Sequence, residues 1–229
     1  MRAGQKSASR LITGALVAAL SGCTGSGTPP RPVPAAALLT ASMRAAVASA
    51  SSVHVTGRLV EPGQTIGLNL DVQRSGQIAG TITQGGVPLQ ITVTGGKAYV
   101  KATPAFIRGL RLPAAVCDTI CGKYVVLPAA RARSLADSLS MTRLTGPLTG
   151  RTPRFRDVGA ETVHGKPGYL LRTSDGARVD VARAEPHYPL AVSSAGGGGH
   201  GSLTFSEWNS VPPPAAPPRS QIVSGGSLG

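Results

Sequence analysis

The side chains able to do chemistry are few and dispersed. Four histidines, His54, His164, His187 and His200, fall on separate strand-like and loop-like stretches, where a surface or structural role is the simpler reading than that of a base. Asp71, Asp157, Glu161, Asp180 and Glu207 are isolated acids without the spacing of a carboxylate pair. The chain has no G-x-S-x-G elbow, no H-E-x-x-H helix and no phosphate-binding loop. Gly196 to Gly199 precede His200, yet with no nucleophile placed near them they read as a loose hairpin tip, not as an oxyanion loop. No catalytic residues, no metal and no cofactor are expected. Cys117 and Cys121 sit in CDTIC. A structural disulfide is the expectation if the protein is exported, with free thiols or a metal or redox pair as the alternatives. A metal would need about four ligands, and no His/Cys cluster accompanies the pair.

The third thiol, Cys23, stands in a different setting. Arg2, Lys6 and Arg10 form a basic start without an acid, followed by the apolar run Leu11 to Leu20. Ten residues are too few to span a bilayer comfortably, and the pattern is that of an export signal. Leu20-Ser21-Gly22-Cys23 at its end resembles a bacterial lipobox. That resemblance implies lipidation of Cys23 with a diacylglyceryl group and cleavage that leaves it as the first residue; the alternative is an ordinary signal with a chance cysteine. One acyl chain binds a membrane marginally and two hold stably, at about 0.8 kcal/mol per buried methylene. Residues 1–22 are thus expected to be a lipoprotein signal peptide, and 23–35, rich in Gly, Ser, Thr and Pro, a lipidated tether. The expected place is the extracytoplasmic face of a cell membrane.

Composition narrows the function further. The chain has 229 residues, of which 41% are hydrophobic, 14% charged and 3% aromatic, so a core must be built from Val, Leu, Ile and Ala. The formal charge is +13, and +10 once residues 1–22 are removed. The basic groups Arg108, Arg111, Arg131, Arg133 and Arg151, Arg154, Arg156 are not interleaved with aromatics, and an exported protein meets no genome, so nucleic acid is not an expected partner. Anionic phospholipid head groups are one account of the charge, a solvated surface the other. No stretch after residue 22 approaches the roughly 20 apolar residues of a spanning helix.

The elements follow from periodicity. Residues 34–50 predict a helix with Leu39, Met43 and Val47 on one face. The period then becomes two: Val53, Val55 and Leu59; Ile66, Leu68, Leu70 and Val72; Ile78 and Ile82; Val87, Leu89, Ile91 and Val93; then Ala98 to Lys101. Short turn-forming segments separate these runs, as in an antiparallel meander with one wet face. Pro88 suggests a place without a partner for its missing N–H. Residues 103–116 predict one or two helical turns with Phe106, Ile107 and Leu110. A strand over 122–127, a helix from Ala129 to Met141, a breaker-rich link over 144–153 and strands from Phe155 to Trp208 complete the domain. The tail from Pro212 predicts extended chain. The expected fold is α+β: about nine to eleven strands in a strongly curved antiparallel sheet, a half-open barrel with helices across its concave face.

The order of these features resembles the LppX/LprAFG lipoproteins of actinobacterial envelopes, whose fold is similar to that of the LolA/LolB carriers. It is carried by the lipobox at Leu20–Cys23, by Ala48-Ser49-Ala50-Ser51-Ser52-Val53-His54-Val55, and by Gly95-Gly96-Lys97-Ala98-Tyr99-Val100-Lys101. Gly122-Lys123-Tyr124-Val125, Gly165-Lys166-Pro167-Gly168-Tyr169 and Pro186-His187-Tyr188-Pro189-Leu190 add to it. The resemblance covers residues 36–210 and leaves 211–229 as a Pro/Gly-rich tail. It implies a cavity between sheet and helices that binds or transfers the acyl chains of a lipid or lipoglycan.

The expected cavity contacts are Leu39, Met43 and Val47 from the helix and Ile66, Leu68, Leu70, Leu89, Ile91 and Val93 from the strands. Phe106, Ile107 and Leu110 would line or gate the mouth. The protein is expected to be a monomer held to the membrane through Cys23. The alternative function is a non-catalytic envelope scaffold or sensor with a protein or peptide partner.

Overall fold

The computed structural model describes residues 33–61, 63–149, 155–163, 165–174, 176–194 and 200–223. The signal sequence, Cys23, most of the tether, His164, Arg151, Arg154, the Gly196–Gly199 tip and residues 224–229 lie outside the described residues.

Helix α1 (Ala36–Ser49) leads into five strands, β1 (Ser52–Glu61), β2 (Gln64–Gln73), β3 (Ile78–Gln84), β4 (Val87–Thr94) and β5 (Lys97–Lys101). A helical excursion follows, with α2 (Pro104–Gly109), α3 (Val116–Ile120), the short β6 (Tyr124–Val126), α4 (Ala129–Ser138) and α5 (Met141–Thr149). Strands β7 (Phe155–Val163), β8 (Lys166–Thr173), β9 (Arg178–Ala182), β10 (Pro189–Ser194) and β11 (His200–Ser206) close the second half, and β12 (Ile222–Val223) ends it. They form one open twelve-stranded sheet in the order β12-β6-β5-β4-β3-β2-β1-β11-β10-β9-β8-β7. Every pairing is antiparallel except that of β12 with β6.

The alternation in the sequence is the alternation of faces. Val55 stands opposite Leu70 on one side and Phe205 on the other, and Val53 opposite Val72. These residues are buried beneath α1, whose Leu39, Met43 and Val47 are at most 2% exposed. The main core runs from Ala36 to Trp208, and a satellite of Ala102, Ile107, Ile120 and Val125 lies under α2 and α3. Both clusters are built from residues between Ala36 and Val223, and the chain from Val33 onward is one compact unit. At Pro88, β4 pairs with β3 only, because the β5 ladder covers just Ile91 to Thr94, so the missing N–H disrupts no ladder.

Two glycines let the sheet bend. A Cβ on Gly57 would overlap the carbonyl oxygen of Ser202 in β11, and one on Gly80 (φ 140°) the carbonyl oxygen of Asn69 in β2. At both points neighbouring backbones approach through space that any other residue would occupy.

The two ends of the sheet are held differently. At the base, where β1 begins and β2 ends, the guanidinium of Arg74 donates to the backbone carbonyls of Val47 and Ala50 at the end of α1. A cation there meets both the orphan carbonyls and the negative end of the helix dipole. Asn209 accepts from the Ser51 N–H at 2.6 Å, and Gln73 donates to the Val211 carbonyl at 2.9 Å. The chain thus stays packed past residue 210: Val211 is buried, and the proline-rich run is extended before β12 joins β6. The rim is the opposite end, formed by the β1–β2 hairpin, the Gly85–Gly86 turn and the ends of β8 to β11.

The segment 144–153, expected to be a link, carries α5 instead. Ser140 accepts the Arg143 N–H, and Met141, Leu144, Thr145 and Leu148 form a buried stripe at helical spacing, so packing outweighs Gly146 and Pro147. Gly80→Ala is expected to destabilise the protein by about 2 kcal/mol or more, while Gly63→Ala, at a turn where a Cβ meets nothing, costs less; urea unfolding of the two variants measures the difference. Arg74→Met is expected to free the end of α1, with faster amide hydrogen exchange in residues 44–50 than in β2.

Candidate functional site

Among the described residues, part of the concave face of this sheet leaves apolar surface incompletely covered. Toward the base, Val53, Leu70, Val72 and Ile78 are fully buried by α1 and its neighbours. Toward the rim, Leu59, Ile66, Ile82, Phe155 and Val192 are only half-buried. There a cavity of about 130 Å³ lies across the ends of β1, β11, β10, β9, β8 and β7. Its walls are Leu59, Phe155, Val179, Val192 and Leu203; Thr173, Ala177, Ser194 and Gly201 are the small residues that leave the space. Register places these together: Leu59 faces Gly201, Gly201 faces Ser194, Val192 faces both Leu203 and Val179, and Phe155 faces Thr173.

The residues expected from the sequence to contact acyl chains are placed on the other half of the sheet and on α1. Leu39, Met43, Leu68, Leu70, Ile91 and Val93 belong to the packed main core, Val47 is buried, and Ile66 and Leu89 are half-buried nearer the rim. Phe106 bridges the main and satellite cores, Ile107 belongs to the satellite, and Leu110 projects into solvent at 50% exposure. None of these lines the 130 Å³ cavity. The sequence held one signal for it: inward-facing positions near the rim are small in the second half, at Ala177, Ser194 and Gly201, and large in the first.

The polar groups lie elsewhere. On the outer face, Arg178 donates to Glu161 at 2.6 Å and to Asp180 at 3.0 Å. The hydrogen bond to Glu161, then that to Asp180, raises the guanidinium above its ordinary pKa, so it stays charged at every accessible pH. His54 Nδ1 lies 2.6 Å from Asp71 Oδ1 on adjacent strands of the same face. Two open troughs of about 670 and 460 Å³ flank Arg58, the larger one running over Gly67 between Arg58 and Thr83. Among the described residues no group of three His, Cys, Asp or Glu side chains is placed to hold a metal. No described helix is long and apolar enough to cross a membrane.

Cys117 and Cys121 are joined in a disulfide across α3, beside Ile107 and Ile120 of the satellite core. Thr103 caps α2 by accepting the Phe106 N–H at 3.1 Å, with Pro104 at the first helical position. The excursion from α2 to β6 is therefore a small lobe with its own core, cap and crosslink. Replacing both cysteines by serine is expected to lose about 2 kcal/mol of local stability for so short a loop. Amides of residues 104–123 would then exchange faster while those of β1 to β4 keep their protection.

No family profile and no curated protein sequence matches the chain. Among solved structures it is similar to LprF from Mycobacterium bovis, at 15% identity over 81% of this chain and all of that one, with a TM-score of 0.52. It is also similar to the lipoprotein LppX of Mycobacterium tuberculosis, at 18% identity over 79% of this chain and 98% of that one, with a TM-score of 0.47. At such identities the likeness to LprF is one of fold, and the score for LppX is too low to add to it. The open, curved sheet with helices on its concave face is the fold the sequence led us to expect.

Proposed function

We propose that this chain, folded like LprF, is a non-catalytic lipoprotein of the cell envelope, tied to the membrane through a diacylated Cys23 and holding an acyl chain of a lipid or lipoglycan in the hollow of its sheet. The observation that supports this most is the rim cavity, walled by Leu59, Phe155, Val179, Val192 and Leu203. A hollow with such walls has little to offer water, whereas a methylene moved into it gains about 0.8 kcal/mol.

Size sets how the ligand enters. At about 130 Å³ the hollow is close to the ~150 Å³ apolar cavity that admits a benzene and below the ~300 Å³ at which ligand pockets usually begin. It takes the end of one chain as it stands. A longer stretch needs the helix layer to lift, and the two ends of α1 are held differently, the start by packing of Ala36 and Leu39 and the end by hydrogen bonds as well. Arg74 clamps its last turn at the base, while Ala35 at its start offers no side-chain cap. Lifting the start of α1 would uncover Leu39 and Met43, two of the residues that the sequence singled out for acyl contact.

The test is to purify the protein from its own membranes and identify bound lipid by native mass spectrometry and solvent extraction. Wild type is expected to carry about one lipid per chain beyond the anchor. Val192→Trp, which fills the hollow, is expected to fold normally and lose that lipid. An empty wild-type extract, or unchanged lipid in Val192→Trp, overturns the reading.

A further inference from the structure

Among the described residues three large apolar side chains are exposed, Val33 at 45%, Leu38 at 69% and Leu110 at 50%. Val33 and Leu38 flank the start of α1, and Leu110 lies on the lobe that follows β5. The last turn of α1 is clamped to the base by Arg74, and its 14 residues reach about 20 Å from there. Its first turn, with Val33 before it and Leu38 within it, is the end away from that clamp, and α1 packs on α5 and β7. Strand β5 runs rimward, since Lys97 pairs with Thr94 and Val100 with Ile91. It delivers α2 beyond the level of Ile91, beside β4, and Leu110 follows α2. The cavity opens at the same end.

We infer that the rim is a docking face for the surface of a bilayer containing anionic phospholipid, so that the mouth of the hollow is presented to the membrane. This deepens the proposed function and rests on it. The lobe tip reads Arg108-Gly109-Leu110-Arg111, and all four residues are exposed. An apolar side chain between two guanidinium groups matches an interface where the leucine enters the acyl boundary and the arginines meet phosphate. Arg111 is left-handed (φ 57°), a conformation that non-glycine residues adopt at a cost, and the turn is closed by its N–H donating to the Arg108 carbonyl at 3.0 Å. Ile107, Ile120 and the Cys117–Cys121 disulfide hold the lobe from beneath. The tip is held from beneath, yet half of its own apolar residue is left to solvent.

The tether agrees with this orientation. Val33 is the tenth residue after Cys23, a reach of at most about 35 Å. An anchor at Cys23 thus keeps the start of α1 near the bilayer.

Residues 24–229, which hold both packed cores, are tested for flotation with vesicles of equimolar phosphatidylglycerol and phosphatidylcholine, and with phosphatidylcholine alone. Binding is expected to the anionic vesicles and to be weak on the neutral ones. At about 1 kcal/mol per basic residue, Arg108→Gln with Arg111→Gln is expected to weaken anionic binding about thirtyfold, and Leu110→Asp about tenfold. All variants should keep the wild-type near-ultraviolet circular dichroism, since the altered side chains are exposed. Equal binding to both vesicles, or variants that bind like wild type, overturns the inference. Lipid retained in the hollow without vesicle binding removes the docking face and leaves the cargo; vesicle binding by a chain that never carries lipid removes the cargo.

Discussion

A sheet whose strands alternate in polarity has one face that water solvates and one that it does not, and that second face must be covered by the same chain. With few aromatics to fill space, coverage falls to aliphatic side chains and to the helices that carry them. The sheet meets part of the requirement by curling. At Gly57 and Gly80 the backbones of neighbouring strands come closer than a side chain allows, and the concave surface draws in on itself. Helices α1, α4 and α5 cover much of the rest, with Leu39, Met43, Val47, Ala132, Leu144 and Leu148 buried. The cavity lies where that coverage ends, at the rim beside Phe155 and Leu59.

At the base, side-chain hydrogen bonds join elements that are distant in sequence. Arg74, Asn209, Ser52 and Gln73 tie α1, the first two strands and the segment after β11 to one another. Tyr188 stacks on Trp208, with ring centroids 4.8 Å apart, and Trp208 donates to the Pro189 carbonyl. The core near this end is correspondingly tight. Nearer the rim the large side chains are half-buried and the inward positions small. An apolar guest costs least at such a place, since few contacts must be broken to admit it.

Much of the fold was legible in the residues. Alternation located β1 to β4 and β8 to β11 because a half-wet strand has no other way to sort its side chains. The Ala-rich run with Leu39, Met43 and Val47 announced a helix that covers a sheet. Two segments were harder to read. Gly146 and Pro147 mask α5, whose stripe matters only once there is a core to receive it. Proline suppresses any strand signal near β12, which exists because β6 leaves an edge open and the extended chain happens to pass it. The thiol pair was legible for a local reason: four residues apart, Cys117 and Cys121 meet whenever the chain makes one helical turn between them.

The site was less legible than the scaffold. Composition and periodicity by themselves determined that there would be a curved sheet with a greasy side and a covering helix, because each of these depends on residue type and local spacing. They pointed to β2, β4 and α1 as walls of a hollow, and in the folded protein most of those residues are buried core while Ile66 and Leu89 are half-buried. Which half of the concave face stays open was decided by tertiary structure alone. It depends on how far α1 reaches from its clamp at Arg74, and on the register that gathers Ala177, Ser194 and Gly201 at one level. A void is a property of the side chains that fail to meet, and no single stretch of chain records that failure.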